Sequence, residues 1–574
     1  MKKTISILLF VLIMLVLVSC GNLSGEKKDN ETAQNQTYKM GEVQKTQYGN
    51  IKGYTNTDEN VLAWKAVPYA KAPIGDLRWK KPHELEKFEG TFDASKKDSQ
   101  AFIQAGADGV IGSEDNLNLD IYRPNTEKKE LPVMVYLHGG NNQGGTSAEL
   151  SGEAFVKDLE TVFVSVNYRL GPLGFNPLPA LNTGDDLEDS GNYAMLDMAA
   201  SLDWVKDNIE AFGGDKDNIT LSGFSAGGRD VMATLASPLF KDKYQKAIAF
   251  SGGMTTASEE DSIKVFAKAI APLVVEDKMK NDEDEAYQWL QTSGKDVRDY
   301  LYQLPAKRLS GLMGDAAIRM SAFPHLYTDG TVLPKNGFDD ANYSDVPLMM
   351  FTGASEFSFF AMGDPYFAAS IGDGTIPSDA SKLAEFDFAK KYGSDFYRLF
   401  NTQKSAEKLA DQYSAPIYNM EMQFGTHLTK TDDMDLAGAF HGVFIPLLDT
   451  NNESYLGTMS ESYGLEGAQQ LKELFRGYLK NFLHEGNPNG AALTTWSAWK
   501  KDNQASLVLD ANEVDAKATM TKETKTNQTI IDAIKKDQTI PENAKNTIIH
   551  DVLNGRWFSS ELDAYFNNKS LWVK

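Results

Sequence analysis

The sequence has a single cysteine, Cys20, among its 574 residues. One cysteine cannot form an intramolecular disulfide, so the folded chain must be held together by packing alone. The sequence also lacks internal repeats and metal motifs of the His-Glu-x-x-His or paired-cysteine type. The acidic run Asp215–Asp217 has too few oxygen ligands at the spacing that a calcium site needs. We therefore expect neither a metal nor a cofactor.

Basic charge is scarce: 57 lysines and arginines face 80 aspartates and glutamates, which gives a net charge of −23. This balance argues against nucleic acid as a partner and against docking on anionic lipid through basic patches. The chain is 41% hydrophobic and 24% charged, an ordinary globular composition with enough apolar residues for a large core.

The N-terminus has the features of a targeting segment. Lys2 and Lys3 precede the apolar run Ile5–Val18, which is shorter than the roughly 20 residues that a membrane-spanning helix needs. The run ends in Leu-Val-Ser-Cys, which resembles the bacterial lipobox, in which the cysteine is lipidated and becomes the mature N-terminus. We predict a signal peptide over residues 1–19, a lipidated Cys20 that anchors the protein to the extracellular face of the membrane, and a flexible tether over residues 20–45. The alternative is an ordinary cleaved signal peptide.

The run Leu221–Gly228 (Leu-Ser-Gly-Phe-Ser-Ala-Gly-Gly) is the most informative motif in the chain. Its core of Gly223, Ser225 and Gly227 suits a sharp strand-to-helix turn that lifts the serine hydroxyl clear of the backbone. Glycines are needed because such a turn is too cramped for a Cβ. A short apolar run precedes the motif and a helical pattern follows over Gly228–Leu235, so the context favours a nucleophilic serine.

The flanking sequence predicts a parallel sheet. Continuous apolar runs at Leu131–Leu137 and Thr161–Val166 are typical of strands that are buried on both faces. The apolar spacing over Tyr193–Phe212 predicts a helix that ends at Gly213. Together with the nucleophile turn these are the elements of βαβ units. Pro347–Gly353 predicts a further core strand.

The remaining regions are richer in helical patterns. We expect residues 256–345 and 365–430 to form helical insertions that cap an active-site gorge. Leu465–His484 predicts a strongly amphipathic helix. The polar stretch 511–574 is predicted to form a helical extension that packs on the same domain.

Several separated motifs together resemble the type B carboxylesterases, the cholinesterase-like and para-nitrobenzyl esterase branch of the α/β hydrolases. The matching runs follow the family's order: Pro68–Trp79, Ser113–Leu119, Asn167–Phe175, Ala211–Asp215 and Leu221–Gly228. Asn116 stands where the family usually has a cysteine. Arg78 with Glu114, and Arg169 with Asp197, resemble the family's structural ion pairs. The resemblance implies an α/β-hydrolase domain over residues 46–510, with a central, mostly parallel sheet covered by helices.

The resemblance also implies a catalytic triad. In α/β hydrolases the nucleophile precedes the acid and the histidine along the chain. After Ser225 the chain has five histidines: His325, His427, His441, His484 and His550. Similarity to the family's His-Gly motif selects His441 as the base that takes the serine proton. The acid that orients the base is placed at Glu356, just after the strand predicted at 347–353.

The oxyanion hole is implied at the run Leu137–Asn142, immediately after a predicted strand. The matching donors are the backbone N–H groups of Gly140, Asn141 and Ala226. One lost donor of this kind typically costs about 2.7–4 kcal/mol of transition-state stabilisation.

Four positions depart from the family's pattern. Phe224 and Phe444 stand where glutamates are usual, Asp230 replaces a common serine, and Asn141 replaces a glycine or alanine. We expect positions 224, 230 and 444 to lie near one another, with Asp230 supplying the negative charge that is lost at the other two. A carboxylate near the imidazolium favours its charged form, so Asp230→Asn is expected to move the acidic limb of the activity–pH profile downward.

The leading prediction is a serine carboxylesterase that hydrolyses small to medium esters through an acyl-enzyme on Ser225, without a cofactor. The aromatic run Phe357–Phe360 either lines the acyl pocket or packs in the core. The alternative from another class is a catalytically weak or inactive cholinesterase-like surface binding protein. A lipase for long acyl chains or a thioesterase also fits the sequence.

Overall fold

The computed structural model describes residues 37–96, 101–106, 109–312, 323–339, 341–429, 432–556 and 559–568. The predicted signal peptide, Cys20 and most of the predicted tether lie outside these residues. The tether prediction runs too far at its C-terminal end, because Tyr38 is already buried and Val43–Thr46 forms a strand. Within the described ranges, no helix is both long enough and apolar enough to cross a membrane.

The described strands are short to medium in length. They are β1 (Val43–Thr46), β2 (Gly49–Lys52), β3 (Tyr54–Asn56), β4 (Val61–Pro68), β5 (Thr91–Asp93), β6 (Gln104–Gly106), β7 (Gly109–Ile111), β8 (Asn118–Pro124), β9 (Leu131–Leu137), β10 (Val162–Val166), β11 (Gly214–Phe224), β12 (Lys246–Phe250), β13 (Leu348–Gly353), β14 (Ile417–Met422), β15 (Ala505–Ala511) and β16 (Ala516–Lys522). The strands predicted at 131–137, 161–166 and 347–353 are confirmed as β9, β10 and β13 to within one residue.

Eleven strands form one sheet in the order β16-β15-β14-β13-β12-β11-β9-β10-β8-β4-β3. The neighbours from β15 to β10 all run parallel. Antiparallel strands flank this parallel region on both sides. The carboxyl ends of β9, β11, β12 and β13 therefore meet along one edge, where α/β folds place their ligand sites.

The sheet is buried on both faces, as the continuous apolar runs predict. On β9, Val133, Val135 and Leu137 belong to the core cluster on one face, whereas Met134 and Tyr136 belong to the cluster on the other. Side chains of a strand alternate between faces, so a strand that packs on two layers must be apolar at every position.

Helices cover both faces. They are α1 (Val156–Leu159), α2 (Gly171–Gly174), α3 (Asp186–Asp189), α4 (Tyr193–Asn208), α5 (Ala226–Ala236), α6 (Glu259–Glu276), α7 (Glu283–Leu290), α8 (Lys295–Gln303), α9 (Ala306–Gly311), α10 (Phe357–Met362), α11 (Pro365–Gly372), α12 (Ala380–Arg398), α13 (Ser405–Leu409), α14 (Met434–Ala437), α15 (Ile445–Leu448), α16 (Glu453–Leu456), α17 (Ser460–Gly464), α18 (Glu466–Glu485), α19 (Asn527–Lys536), α20 (Glu542–Thr547) and α21 (Ser560–Phe566). Leu399–Lys404 and Ile548–Val552 are π-helical. The helices predicted after Tyr193, after the nucleophile and over Leu465–His484 are confirmed as α4, α5 and α18.

Two regions contain strands that the sequence patterns did not indicate. Residues 365–430, expected to be a helical insertion, include β14, which pairs in parallel with β13. The C-terminal extension, expected to be helical, begins with β16, which pairs antiparallel with β15. In β16 only Ala516, Ala518 and Met520 pack on the core. Alanine is too weakly apolar to make that alternation visible in the sequence.

The helices α19–α21 pack beside the segment that follows β13. A third core cluster joins residues of α10–α12, such as Phe357 and Phe386, with Ile530, Ile534 and Ile548 of the C-terminal extension. The extension therefore supports the elements that lead away from the carboxyl edge of the sheet.

Candidate active site

Ser225 occupies a strained turn between β11 and α5. Its φ of +56° lies in the left-handed region, which costs energy for a residue with a Cβ. Its backbone N–H donates to the carbonyl of Phe250 over 2.8 Å, which ties the turn to the end of neighbouring β12. The strand, sharp turn and helix match the context that the motif predicts for an exposed nucleophile.

The motif glycines allow the backbone to approach closely on both sides of this serine. A Cβ at Gly223 would lie 2.4 Å from the carbonyl carbon of Gly227, and a Cβ at Gly227 would lie 2.1 Å from the carbonyl oxygen of Leu137. Both distances are far below van der Waals contact. A side chain at either position would therefore push α5 away from β9 and β11.

Glu356 and His441 come together at the same edge of the sheet, although 85 residues separate them. Glu356 follows β13, and His441 lies in the loop between α14 and α15. The Glu356 Oε2 atom lies 2.5 Å from Nδ1 of the imidazole, and both side chains are almost fully buried. A carboxylate at this distance fixes the ring orientation and favours the tautomer that leaves Nε2 free to accept a proton.

The other carboxylate oxygen of Glu356 is held by three donors. Ser251 Oγ donates to Oε1 over 2.5 Å, the Gly353 N–H over 2.6 Å, and the Thr352 hydroxyl over 3.1 Å. Asn401, in the π-helical segment, donates to Thr352 Oγ1 over 3.1 Å. The carboxylate is thus oriented from several elements. Sequence reasoning missed Ser251, although its place directly after a parallel strand is a usable signal; Asn401 carries no local signal.

Aromatic rings enclose the imidazole of His441. The ring centroids of Phe224, Phe360, Tyr397 and Phe359 lie 4.6, 4.9, 5.8 and 6.1 Å from it. Phe359 is half exposed, whereas Phe357 on the same helix is buried in the third core cluster. The aromatic run therefore splits between the two roles expected for it: Phe359 and Phe360 face the site, and Phe357 belongs to the core.

The Nε2 atom of His441 is buried and makes no hydrogen bond to any part of the chain that the structure describes. A hydrogen bond between Ser225 and His441 is therefore not formed in this structure. Such catalytic contacts are often long in the free enzyme and shorten when substrate binds.

The predicted oxyanion loop follows β9 in an unusual backbone conformation. Gly140, Asn141 and Asn142 have φ values of +95°, +57° and +58° in succession. A Cβ at the preceding residue, Gly139, would lie 3.2 Å from the Cβ of Ser225, so the loop runs directly past the nucleophile. Ala226 is the first residue of α5, where the backbone N–H has no partner within the helix.

The departures from the family pattern make two different sets of contacts. Phe224 packs edge-on against Phe444 with ring centroids 5.3 Å apart, and Phe224 also contacts His441. The Asp230 carboxylate instead accepts a hydrogen bond from the Asn142 side chain over 2.8 Å. This described contact lies at the predicted oxyanion loop, so it does not support the expectation that Asp230 replaces the carboxylates missing at 224 and 444.

The carboxylate beside Phe224 is Glu149, which sequence reasoning missed. Its Oε2 atom accepts the Gly139 N–H and the Tyr136 hydroxyl, each over 2.8 Å. A Cβ at Gly139 would lie 3.0 Å from Glu149 Oε1 and 3.2 Å from the Phe224 ring. Burial raises the pKa of Glu149 from 4.5 to about 7, partly opposed by its hydrogen bonds. Glu149 lies in the loop after β9, outside every motif that the sequence analysis uses, so no sequence signal indicated its place in the site.

Two ion pairs predicted to be structural are present. Arg78 pairs with Glu114 through two nitrogens, and Arg169 pairs with Asp197 with a shortest distance of 2.7 Å. Asp197 and Arg169 are both fully buried. Among the described residues, no group of three or more His, Cys, Asp or Glu side chains could hold a metal ion.

The chain has a mostly parallel sheet with helices on both faces, and a strained serine turn lies at the carboxyl ends of the strands. These features define the α/β-hydrolase fold. Within that class, the chain belongs to the carboxylesterase family, whose sequence profile matches residues 41–414.

Similar proteins agree with this assignment. The para-nitrobenzyl esterase of Bacillus subtilis is 29% identical over 81% of this chain and 94% of its own length. Carboxylesterase 1E of Mus musculus is 27% identical over 78% of this chain and 85% of its own length. A solved structure of a PNB esterase superposes with a TM-score of 0.64 at 26% identity and covers 85% of this chain and 99% of that one. The protein is therefore a carboxylic ester hydrolase.

Proposed function

We propose that the protein is a serine carboxylesterase in which Ser225 is the nucleophile, His441 the general base and acid, and Glu356 the orienting acid. The observation that carries this proposal is the 2.5 Å contact between Glu356 and His441 at the sheet edge where the Ser225 turn also lies. Five further residues complete the site: Gly140, Asn141 and Ala226 as oxyanion donors, Phe224 as packing on the histidine, and Phe444 as packing behind Phe224.

The reaction would proceed in two acyl-transfer steps. Ser225 Oγ attacks the ester carbonyl carbon while His441 Nε2 takes its proton, and the buried Glu356 carboxylate stabilises the imidazolium. The N–H groups of the oxyanion loop and of Ala226 stabilise the negative oxygen of the tetrahedral intermediate. The intermediate collapses, His441 protonates the departing alcohol, and an acyl-enzyme remains. Water, deprotonated by His441, then releases the acid by the same steps.

The surroundings of the histidine favour apolar esters, and we propose that these are of small to medium size. Phe359 and Phe360 present aromatic surface beside His441, and Tyr397 closes the same side. Apolar acyl or alcohol groups gain free energy when they leave water for such a surface, by about 25 cal/mol per Å² buried. Charged substrate groups would lose hydration there without compensation.

The direct test uses the full-length protein in detergent. We expect turnover of p-nitrophenyl acetate, butyrate and octanoate, and stoichiometric labelling of Ser225 by a fluorophosphonate. The variant Ser225→Ala should abolish both, while His441→Ala and Glu356→Ala should reduce turnover by several orders of magnitude. The ranking of the three esters would separate a small-ester hydrolase from a lipase, and a thioester analogue would reveal thioesterase activity.

A different outcome would favour the second candidate function. A folded wild-type protein that neither turns over esters nor reacts with the fluorophosphonate would point to a cholinesterase-like surface binding protein that has lost catalysis. The absence of a hydrogen bond to His441 Nε2 from the described residues is the observation that motivates this comparison.

We also propose that the protein is anchored to the outer face of a bacterial membrane through Cys20. This residue lies outside the described part of the chain, and the proposal depends on the lipobox-like run that ends there. In a bacterial host, Cys20 should incorporate a labelled fatty acid and the protein should sediment with membranes. Cys20→Ala should lose the label; retention of the label in that variant would refute the proposal.

A further inference from the structure

Two adjacent residues of the nucleophile helix bond to two adjacent residues of the predicted oxyanion loop. Arg229 Nη2 donates to the Asn141 side-chain oxygen over 2.6 Å, and the Asn142 side-chain nitrogen donates to Asp230 over 2.8 Å. All four side chains are at most 5% exposed. The two pairs therefore connect the loop after β9 to the first turns of α5 through buried polar contacts.

The loop conformation explains why such contacts are useful. Asn141 and Asn142 both have left-handed φ values, and this conformation costs roughly 1–2 kcal/mol for each residue with a Cβ. Asparagine tolerates it better than most residues, but the conformation needs support from its surroundings. Asn142 is also held by the Tyr168 hydroxyl over 3.1 Å and by the Gly171 N–H over 2.7 Å. Asn141 has the Arg229 contact on the side of α5.

We infer that Arg229 and Asp230 are positioning residues that hold the N–H groups of Gly140 and Asn141 in the geometry for binding an oxyanion. The inference rests on the proposed function. Arg229 and Asp230 follow Ser225 by four and five residues. The helix α5 therefore positions Ser225 and the Ala226 N–H directly, and it positions the Gly140 and Asn141 N–H groups through the side chains of Arg229 and Asp230.

Burying the ionisable side chains of Arg229 and Asp230 is unfavourable, which indicates that these residues have a specific role. Burial lowers the pKa of Arg229 and raises the pKa of Asp230 from 3.8 to about 7. Placing two ionisable groups in the interior is unfavourable compared with apolar side chains of similar volume. Glycine at position 141 would adopt the left-handed conformation without any such support. The Asn141 carboxamide and the Arg229 guanidinium thus form a matched pair.

The pairing predicts a rescue experiment on the full-length protein. Arg229→Met should lower kcat for p-nitrophenyl butyrate by ~10- to 100-fold and change KM by less than about threefold. The oxyanion develops only in the transition state, so misplaced donors weaken binding of the transition state and not of the substrate. A trifluoromethyl ketone, which forms a tetrahedral adduct with serine, should lose affinity in parallel with kcat. In an Asn141→Gly background, Arg229→Met should cost less than about threefold, because glycine does not need the contact.

A matched control separates positioning from general stability. Arg123 is a second fully buried arginine, and it donates to the Phe212 carbonyl. It lies beside the start of β10, at the end of the parallel strands opposite to the loop. Arg123→Met should lower Tm and leave kcat within about twofold. If Arg229→Met lowers Tm but not kcat, or if its effect multiplies with that of Asn141→Gly, the inference is wrong.

The second contact gives an independent measurement if Arg229→Met does not fold. Asp230→Asn keeps an acceptor oxygen for Asn142 and should retain kcat within about threefold, whereas Asp230→Leu should lose roughly tenfold or more. Equal kcat values in these two variants would also overturn the inference. Failure of the proposed function is recognised separately, because the wild-type protein would then show no turnover and no fluorophosphonate labelling.

Discussion

The Glu149 carboxylate accepts the backbone N–H of Gly139 over 2.8 Å, immediately before the predicted oxyanion loop. Burial raises the pKa of this carboxyl from 4.5 to about 7. Between these values the folded protein holds a proton that the unfolded chain has lost, so the free energy of unfolding falls as the pH rises from about 4.5 to 7. Above pH 7 the folded protein bears the full cost of the buried charge.

Glu149→Gln should therefore stabilise the protein at alkaline pH. Glutamine keeps one oxygen that can accept the N–H of Gly139 and the hydroxyl of Tyr136. We expect a gain of about 1–3 kcal/mol in the free energy of unfolding at pH 8, shrinking to nothing near pH 4.5. Denaturant titrations at several pH values measure this difference. Glu473→Gln, at an exposed position, is the control, and its effect on the free energy of unfolding should not depend on pH. A stability difference for Glu149→Gln that is the same at every pH would contradict the prediction.

Ser251→Ala should weaken catalysis through Glu356. The serine hydroxyl donates to Glu356 Oε1 over 2.5 Å, and a hydrogen bond to an ionised group is worth about 1.5–3 kcal/mol. Because Thr352 and Gly353 still hold that oxygen, we expect kcat to fall about tenfold with KM unchanged. Ser201→Ala removes another buried hydroxyl, which donates to the Met198 carbonyl in α4, and should leave kcat unchanged. Equal kcat values in the two variants would exclude a role for Ser251.

The sheet and the places of Ser225 and Glu356 at its edge could be predicted because their signals are local. Apolar runs mark β9, β10 and β13, and the ends of parallel strands meet at one edge, which places Ser225 and Glu356 on the same side. His441 needed the resemblance, since an isolated histidine in a loop has no periodicity to place it. β16 was missed because its core-facing residues are two alanines and a methionine.

The contacts that hold Glu356 and the loop after β9 could not be predicted, because they join residues that are distant in sequence. Arg229 meets Asn141 across 88 residues, and Asn401 meets Thr352 across 49. Asp230 illustrates the difficulty: its sequence position suggested a carboxylate that acts on His441, whereas its side chain accepts a hydrogen bond from Asn142 in the predicted oxyanion loop. Packing decides which face of a helix lies against which loop. No sequence pattern in the first turn of α5 indicates that its polar side chains face the loop after β9.

Arg556→Met should change substrate preference through the aromatic residues beside His441. Arg556 of the C-terminal extension lies 3.3 Å from the Asp364 carboxylate and donates to the Phe360 carbonyl over 3.1 Å. Loss of these contacts should allow α10 to shift, which weakens binding of long acyl chains most. We expect the ratio of kcat/KM for p-nitrophenyl octanoate to that for the acetate to fall at least ~3-fold.

The control for Arg556 is Lys545→Met in the same extension. Lys545 is buried and donates to the Asp537 carbonyl over 2.8 Å, so its loss destabilises the extension at a different place. We expect Tm to fall in both variants and the ester ratio to change only in Arg556→Met. A parallel change of the ratio in both would mean that the extension acts through stability alone.

Phe359→Ala and Phe357→Ala should separate binding from stability on a single helix. Phe359 is 50% exposed with its ring 6.1 Å from His441, whereas Phe357 is 1% exposed in the third core cluster. Truncating a buried phenylalanine typically costs about 3–5 kcal/mol, so Phe357→Ala should lower Tm strongly. Phe359→Ala should leave Tm nearly unchanged and raise KM for p-nitrophenyl octanoate several-fold, because apolar surface is lost from the site. If Phe359→Ala instead lowers Tm and leaves KM unchanged, α10 contributes core packing and Phe359 does not line the acyl pocket.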